Sequence, residues 1–343
     1  MKKINLQNFS IFYVSCLFCC TIVSCKNSNI NQENVQIHKP YFGLNPSTDK
    51  LEIFAPAIVS AGLDEGTITF TPDGKECYWT LLLSGFETIL TSRLENDGWT
   101  RPEVASFAGK YYDGWPAIQP DGKKMFFHSA RPVPDTTTGI TAEFNIWCMD
   151  RVDNAWSGPR LVNTPVNGSE NSTCPSVSLN GNIYVSKRFS DGSEKLCRSE
   201  LRDGVYQELE MLPDNVNVLK DNFHGYISPD ESYLIRPCYG RSDNIGAGWN
   251  YYISFRKNNN TWSDLINMGK EINSVYCAGA PSISFNGKYL FFQGIVATTI
   301  TPSLDRKYSL QELIDIDIKG PSKGSTDIYW IDSKIIEELK YIE

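Results

Sequence analysis

The sequence is poor in basic residues, in histidine and in methionine. Its 343 residues hold 32 Lys and Arg against 40 Asp and Glu, a formal net charge of −8, with three His and five Met. A protein that follows a phosphate backbone needs an excess of Lys and Arg, so this balance argues against a nucleic-acid partner. Hydrophobic residues make up 41% of the chain, which is too many for a disordered protein. Length alone allows one large or two ordinary domains.

Common cofactor and metal motifs are also missing. The sequence has no Rossmann or P-loop glycine pattern and no HxH or HExxH spacing. His128 and His224 could share a metal with Asp113 or Asp221, but no spacing supports such a site. We therefore predict neither a metal nor a cofactor.

The first 25 residues have the pattern of a targeting segment. Lys2 and Lys3 precede a short apolar run from Ile11 to Val23, which is too short for a spanning helix. Ile22-Val23-Ser24-Cys25 resembles a bacterial lipobox, whose cysteine is lipidated after cleavage. We predict a lipoprotein signal peptide over residues 1–24, lipidation of Cys25 and a solvated tether over 25–40, which together anchor the protein in the outer membrane, on its periplasmic side or surface. An ordinary signal peptide with a chance cysteine is the alternative.

Six further cysteines follow Cys25. An even number permits disulfides in an oxidising compartment. Most of them stand singly in apolar, strand-like runs, however, where cysteine usually acts as a small buried hydrophobe. No CxxC pair occurs among them, so a zinc or redox motif is not indicated. The six are Cys77, Cys148, Cys174, Cys197, Cys238 and Cys277.

A short turn motif recurs through the rest of the chain. Each copy lies between two apolar, alternating runs, and Pro-Asp-Gly or Asn-Gly in that setting predicts a β-hairpin. The last residues of the copies, at positions 74, 122, 181, 231 and 287, are 48 to 59 residues apart, enough for four strands and a loop. The copies are Thr71-Pro72-Asp73-Gly74, Gln119-Pro120-Asp121-Gly122, Ser178-Leu179-Asn180-Gly181, Ser228-Pro229-Asp230-Glu231 and Ser284-Phe285-Asn286-Gly287.

Each hairpin is followed by two more strand-like runs, so every unit reads as a four-stranded antiparallel meander. Radial repetition of such sheets is a β-propeller, and we predict an all-β, five-bladed propeller over residues 41–343. The fifth unit ends at its third strand, Asp327–Ile331, and the segment Ile53–Val59 can supply the missing fourth strand and close the ring. Six blades are the alternative, with the additional one in 295–325.

The repeats resemble those of the WD-like β-propeller proteins of the TolB type, found in bacterial envelopes. The resemblance covers about residues 41–340 and rests on the turn motifs, the lead-in Phe54–Ser60 and the ending Asp327–Trp330. It implies a periplasmic or surface propeller that binds proteins or glycans, and some relatives are carbohydrate-active enzymes. Three of the five turns depart from an intact Pro-Asp-Gly, and the Asp-box of sialidases is absent.

Strand order predicts where binding residues gather. The loops that enter each first strand and those that join second to third strands share one end of the ring, which we call the upper face; the hairpin turns lie at the other end. Loops on a rigid scaffold are the usual place for binding. The candidate residues on the upper face are Asp113, His128, Arg131, Glu170, Arg188, Asp221, His224, Arg236, Arg241 and Tyr276.

These residues allow three interpretations. Acids at the start of inner strands often cap turns and pair with arginines, a purely structural role. Arg131, Arg188 and Arg241 could instead clamp an acidic sugar or a peptide carboxylate. Paired carboxylates such as Asp113 with Glu170 or Asp221 could hydrolyse a glycan. We predict a binding or scaffolding module for a protein or glycan in the cell envelope, with an enzyme acting on an acidic glycan as the alternative.

Overall fold

The computed structural model describes residues 39–45, 50–134, 138–218, 224–245, 248–277, 279–295, 307, 309 and 325–341. All of these lie within one compact unit, Gln36–Glu343. The predicted signal peptide, Cys25, most of the tether and Asp221 lie outside the described residues.

The strands form five small antiparallel sheets arranged as a five-bladed β-propeller, which confirms the predicted fold. A 3-10 turn, Tyr41–Gly43, and strand β1 (Glu52–Ile53) precede the first blade. Blade 1 contains β2 (Asp64–Phe70), β3 (Glu76–Leu83), β4 (Phe86–Glu95), β5 (Gly98–Trp99) and β6 (Glu103–Val104). Blade 2 contains β7 (Asp113–Ile118), β8 (Lys124–Ser129), β9 (Asn145–Val152), β10 (Ala155–Trp156) and β11 (Arg160–Leu161).

The remaining blades follow in chain order. Blade 3 contains β12 (Ser172–Val177), β13 (Ile183–Arg188), β14 (Glu194–Ser199), β15 (Leu201–Arg202), β16 (Val205–Tyr206) and β17 (Glu210–Met211). Blade 4 contains β18 (Tyr226–Ile227), β19 (Tyr233–Tyr239), β20 (Trp249–Phe255) and β21 (Ile266–Asn267), and helix α1 (Gly269–Ile272) follows it. Blade 5 contains β22 (Tyr276–Cys277), β23 (Ser282–Ile283), β24 (Tyr289–Ile295) and β25 (Asp327–Asp332), and helix α2 (Lys334–Leu339) ends the described chain.

The recurring turns join the first and second strands, as predicted. In blade 1 the Asp73 carboxylate accepts hydrogen bonds from the Thr71 hydroxyl at 2.6 Å and the Lys75 backbone N–H at 3.1 Å. Gly74 then adopts φ +67°, a conformation that glycine reaches without strain. In blade 4 Glu231 takes this place with φ +58°.

The N-terminal strand closes the ring. Glu52 pairs with Trp330 and Ile53 with Tyr329, so β1 is the outermost strand of blade 5. The paired segment is shorter than the predicted Ile53–Val59, because the chain turns after Phe54. Strands β24 and β25 pair directly, for example Phe291 with Trp330, so both belong to blade 5, and the strands that the structure describes form five blades and not six.

In each of blades 2, 3 and 4, one buried asparagine from the loop that follows the blade bonds back to the blade's third strand. The Asn167 amide donates to the backbone oxygens of Ile146 and Val162, and its side-chain oxygen accepts the Ile146 N–H. Asn217 and Asn273 repeat this arrangement on blades 3 and 4. Asn167 also begins a glycosylation sequon, but its side chain is 1% exposed and fully used in these bonds.

Most of the core lies between adjacent blades, and a smaller cluster of Trp115, Cys174 and Ala280 lies along the innermost strands. Each of the six cysteines is buried with a free thiol, which agrees with the expectation that they act as small hydrophobes. Within the described part of the chain, no helix is long and apolar enough to cross a membrane.

Candidate functional site

A bulge in the innermost strands builds the centre of the upper face. The first-strand register shifts in blades 1, 2 and 3, and residues at one repeat position take positive φ in blades 2, 3 and 4: Trp115 at 50°, Cys174 at 50° and His224 at 59°. Such φ values are uncommon in residues with a Cβ and must be imposed by the surroundings. The three residues come together in one place: all of them line the same pocket, and the Trp115 and His224 ring centroids are 5.1 Å apart.

The backbone N–H of each of these three residues bonds to a side chain of the preceding blade. The Trp115 N–H donates to the Thr80 hydroxyl at 2.8 Å, and the His224 N–H donates to the Ser186 hydroxyl at 2.9 Å. At the equivalent contact the Cys174 N–H donates to His128 Nδ1 at 3.4 Å. His128 therefore stands where the other two blades use a hydroxyl.

An open pocket of about 390 Å³ lies on the upper face above blades 2 and 3. Trp115 also lines a second cavity, whose walls include the turn residues Pro72, Pro120 and Pro229. The upper pocket is lined by Glu87, Trp115, His128, Phe144, Asn171, Thr173, Cys174, Arg188, Glu194 and His224. We call it the upper pocket below.

The Glu87–His128 pair forms one wall of the upper pocket. His128 Nε2 lies 2.6 Å from Glu87 Oε1. Gly114 makes this pairing possible, because a Cβ at that position would lie 3.0 Å from His128 Nε2 and 3.1 Å from Glu87 Oε2. His128 also contacts two rings, with centroid distances of 5.0 Å to Trp115 and 5.4 Å to Phe144.

His224 is almost fully buried beside Trp115, with their ring centroids 5.1 Å apart. Burial lowers the pKa of His224 to about 3, and the nearby His128 and Arg236 act in the same direction. The imidazole of His224 is therefore neutral at physiological pH.

Asp113 and Arg131 form a buried ion pair instead of a ligand clamp. Asp113 Oδ1 accepts hydrogen bonds of 2.6 Å from Arg131 Nη2 and from the Ser129 hydroxyl. Arg131 also donates to the Phe107 backbone oxygen, and its guanidinium lies 5.0 Å from the Phe127 ring centre. Burial raises the pKa of Asp113, although its bonds to Ser129 and Arg131 oppose this shift.

Four more of the predicted residues do not line the upper pocket. The Glu170 backbone oxygen accepts a bond from Lys187 Nζ at 3.0 Å. Arg236 is fully buried and donates to the Val216 oxygen at 2.8 Å. Arg241 pairs with Asp243 at 2.9 Å. Tyr276 packs so closely on Gly248 that a Cβ there would lie 1.9 Å from its ring.

The structure thus brings together His128, Arg188 and His224 of the predicted set. It does not assemble the three-arginine clamp, because among Arg131, Arg188 and Arg241 only Arg188 lines the upper pocket. The sequence analysis missed the residues Glu87, Phe144, Thr173, Cys174 and Glu194. Glu87 and Glu194 lie at the starts of the third strands β4 and β14, a repeat position that could have pointed to them.

Glu65 is a second acid of the entering loops and is buried at the seam between blades 1 and 5. Its Oε1 accepts the backbone N–H groups of Ala61 at 3.0 Å and Leu63 at 3.2 Å. Burial, with smaller contributions from Asp327 and Asp64, raises the pKa of Glu65 to about 8. Across the described residues, no group of three or more His, Cys, Asp or Glu side chains is placed to hold a metal ion.

Fold and site together define a five-bladed β-propeller with an open pocket on its upper face. No known family description matches the sequence. No characterised protein matches it either.

Solved propellers of several kinds resemble the fold. TolB from Acinetobacter baumannii is 17% identical with a TM-score of 0.43, and the match covers 67% of this chain and 49% of that one, about half its length. An α-L-arabinofuranosidase from Podospora anserina in complex with cellotriose is 13% identical over 84% of this chain and 97% of that one, with a TM-score of 0.48. An oligogalacturonate lyase from Vibrio parahaemolyticus is 10% identical over 82% and 93%, with a TM-score of 0.35. Resemblance this distant leaves function to be inferred from the pocket itself.

Proposed function

We propose that the protein is a glycan-binding module whose ligand lies in the upper pocket. The observation that carries this proposal is the pocket's mixture of ring faces and polar groups. Trp115 and Phe144 offer apolar ring surface, on which the C–H face of a sugar can pack. Around them Thr173, Asn171 and Arg188 offer hydrogen bonds to hydroxyl groups.

The size of the pocket favours a glycan over a folded protein partner. A volume of about 390 Å³ suits a small ligand or one part of a chain. A stable protein–protein interface covers roughly 800 Å² on each partner and is centred on buried anchor residues. Among the described residues, the exposed large hydrophobic side chains are distributed over at least four blades and do not supply such a centre; they include Leu83 in blade 1, Val152 in blade 2, Val205 and Met211 in blade 3 and Tyr239 in blade 4.

Hydrolysis of the bound glycan is the second candidate, since two carboxylates, Glu87 and Glu194, line the same pocket. A hydrolase needs one of them protonated as general acid. Glu87, however, is already bonded to His128 at 2.6 Å, and Glu194 lies 3.7 Å from Arg188, so each carboxylate is engaged by another side chain of the pocket wall. We therefore favour binding without turnover.

Replacing Phe144 with alanine should weaken glycan binding about tenfold, because the half-buried ring supplies packing surface at the pocket edge. A glycan array would select the ligand, and isothermal titration calorimetry would measure its affinity. Mass spectrometry of the recovered ligand would show whether it is cleaved, which would favour the hydrolase.

Tyr341→Ala is the matched control, since it removes an exposed aromatic ring outside the pocket. It should leave affinity unchanged. Equal affinity in the Phe144 variant and the wild type would show that the glycan binds elsewhere, and would overturn the assignment of this pocket.

We also propose that the module works in the cell envelope, anchored by a lipid on Cys25. The lipobox-like Ile22-Val23-Ser24-Cys25 and the polar residues after it support this proposal. The wild type expressed in a diderm bacterium should then fractionate with the outer membrane, and Cys25→Ser should lose this association. Immunoblots of the fractions test this, and a soluble wild type would contradict it.

A further inference from the structure

The second cavity has a volume of about 270 Å³ and is bordered by residues of all five blades. Pro72, Pro229 and Phe285, in the hairpin turns of blades 1, 4 and 5, are exposed on the protein surface and also line this cavity. Its entrance therefore lies among the hairpin turns, and we call it the lower cavity. Apart from Trp115, its described lining residues differ from those of the upper pocket.

The wall of the lower cavity contains one repeat position from every blade. This position lies two residues before each turn motif, in the innermost strand or next to it. Its five members are Thr69, Ala117, Ser176, Tyr226 and Ser282. Three of them are small hydroxyl residues, whereas Ala117 has no polar group and Tyr226 places an aromatic ring at this position.

The small hydroxyl groups of the wall join neighbouring blades. Thr69 and Ser176 accept backbone N–H groups of the following blade, at 3.4 and 3.0 Å. Thr67 and Ser282 donate to backbone oxygens across the seam between blades 1 and 5, at 2.8 and 2.5 Å. These four groups are therefore engaged in holding the ring together.

The backbone of the wall is poor in hydrogen-bond donors. Pro116, Pro175 and Pro281 stand at one repeat position and line the cavity, and proline has no N–H to offer. None of the described residues that line the lower cavity carries a charge. A wall of this kind holds water weakly and favours an uncharged ligand, because burying a charge there would cost its hydration.

Aromatic rings and the cavity size narrow the class of ligand further. Trp115, Tyr226 and Tyr233 all line the lower cavity, and the two tyrosine ring centroids lie 6.4 Å apart. The Tyr226 hydroxyl bonds to no other described residue, so it can donate to a ligand. An apolar cavity of about 150 Å³ holds benzene. The larger volume here suits a molecule of two fused rings.

From these contacts we propose that the lower cavity is a second binding site, for an uncharged molecule of two fused aromatic rings. Its rings pack against Trp115 and Tyr226, and an oxygen on the ligand accepts a hydrogen bond from the Tyr226 hydroxyl. This site goes beyond the proposed glycan function and does not depend on it.

The test is equilibrium dialysis at about pH 7 with three naphthalene derivatives, each substituted at the same ring carbon. Acetylnaphthalene is uncharged and carries an acceptor oxygen, naphthoate has nearly the same shape but is an anion, and isopropylnaphthalene has no acceptor. The Cys25→Ser chain is used, so that no lipid anchor competes for the probes. We expect one acetylnaphthalene to bind per chain, at least tenfold more tightly than naphthoate.

Two variants locate the bound probe. Ala117→Phe fills part of the cavity and should weaken binding of both uncharged probes at least tenfold. Tyr226→Phe keeps the ring and removes the hydroxyl, so it should weaken acetylnaphthalene about fivefold and leave isopropylnaphthalene unchanged. Ala155→Phe and Tyr341→Phe make the same changes at exposed positions outside the cavity, and both should bind like the Cys25→Ser chain.

The outcomes keep this site apart from the proposed glycan site. Binding of none of the probes, or equal binding of acetylnaphthalene and naphthoate, would overturn the proposal. So would binding that neither Ala117→Phe nor Tyr226→Phe weakens, since the probe would then lie elsewhere. An equal loss of both uncharged probes in Tyr226→Phe would overturn the hydrogen bond. Glycan affinity should be unchanged in Tyr226→Phe, because Tyr226 does not line the upper pocket.

Discussion

Replacing Asp113 with alanine should lower the free energy of unfolding by about 3 to 5 kcal/mol, because it leaves the buried Arg131 guanidinium without its counter-charge. Asp113 is 0% exposed, so water cannot take its place without rearrangement. Denaturant unfolding followed by tryptophan fluorescence would measure the loss. Glycan affinity at low temperature, where the variant stays folded, should be unchanged, because neither residue lines the upper pocket.

The exposed pair Arg93–Glu103 provides the control. Its atoms lie 3.2 Å apart, but its side chains are 50% and 60% exposed, so Glu103→Ala should cost less than about 1 kcal/mol. The double variant Asp113→Ala/Arg131→Leu should recover part of the lost stability, since it removes the unpaired charge as well. A cost for Asp113→Ala no larger than that for Glu103→Ala would show that the pair is not structural.

Replacing Glu65 with glutamine should stabilise the protein at high pH and have little effect at low pH. The pKa of Glu65 is raised to about 8 in the folded protein from 4.5, so the folded state holds its proton more tightly than the unfolded state. Its stabilising contribution is complete below about pH 4.5 and is lost as the pH rises through 8. Glutamine stays neutral, so its contribution to the free energy of unfolding does not change over that pH range.

The difference in melting temperature between Glu65→Gln and the wild type should therefore grow by roughly 5 to 10 °C between pH 5 and pH 9. Taking this difference cancels the titration of all other groups. Glu208→Gln should show no such trend, because its side chain is exposed in both states. A constant difference across the pH range would show that Glu65 titrates normally in the folded protein.

The fold could be predicted because its determinants are local. Each hairpin turn depends on a few adjacent residues, such as Thr71, Asp73 and Gly74, whose bonds and φ angles close the turn without help from distant strands. Ring closure was predictable for a related reason. Blade 5 lacked a fourth strand in sequence order, and an unpaired edge has to be covered.

The composition of the upper pocket was harder to predict from the sequence, because it depends on which side chains meet across blades. Arg131 and Arg188 occupy similar places in the sequence: Arg188 ends the second strand of blade 3, and Arg131 follows the second strand of blade 2 by two residues. Arg131 is nevertheless buried against Asp113, whereas Arg188 is exposed at the pocket rim. Glu87 meets His128 across the blades where Gly114, in blade 2, has no Cβ to crowd the two side chains.

By itself, the sequence determined the five blades, their hairpin turns, the strand that closes the ring and the end of the ring where polar loops gather. Periodicity and turn chemistry act between neighbours in the chain, so they can be recognised without coordinates. Only the tertiary structure decided which of the charges at that end are buried in ion pairs and which line the open pocket. That depends on burial and on distances between blades, which turn Asp113 into a structural acid and leave Glu87 and Glu194 around an open pocket.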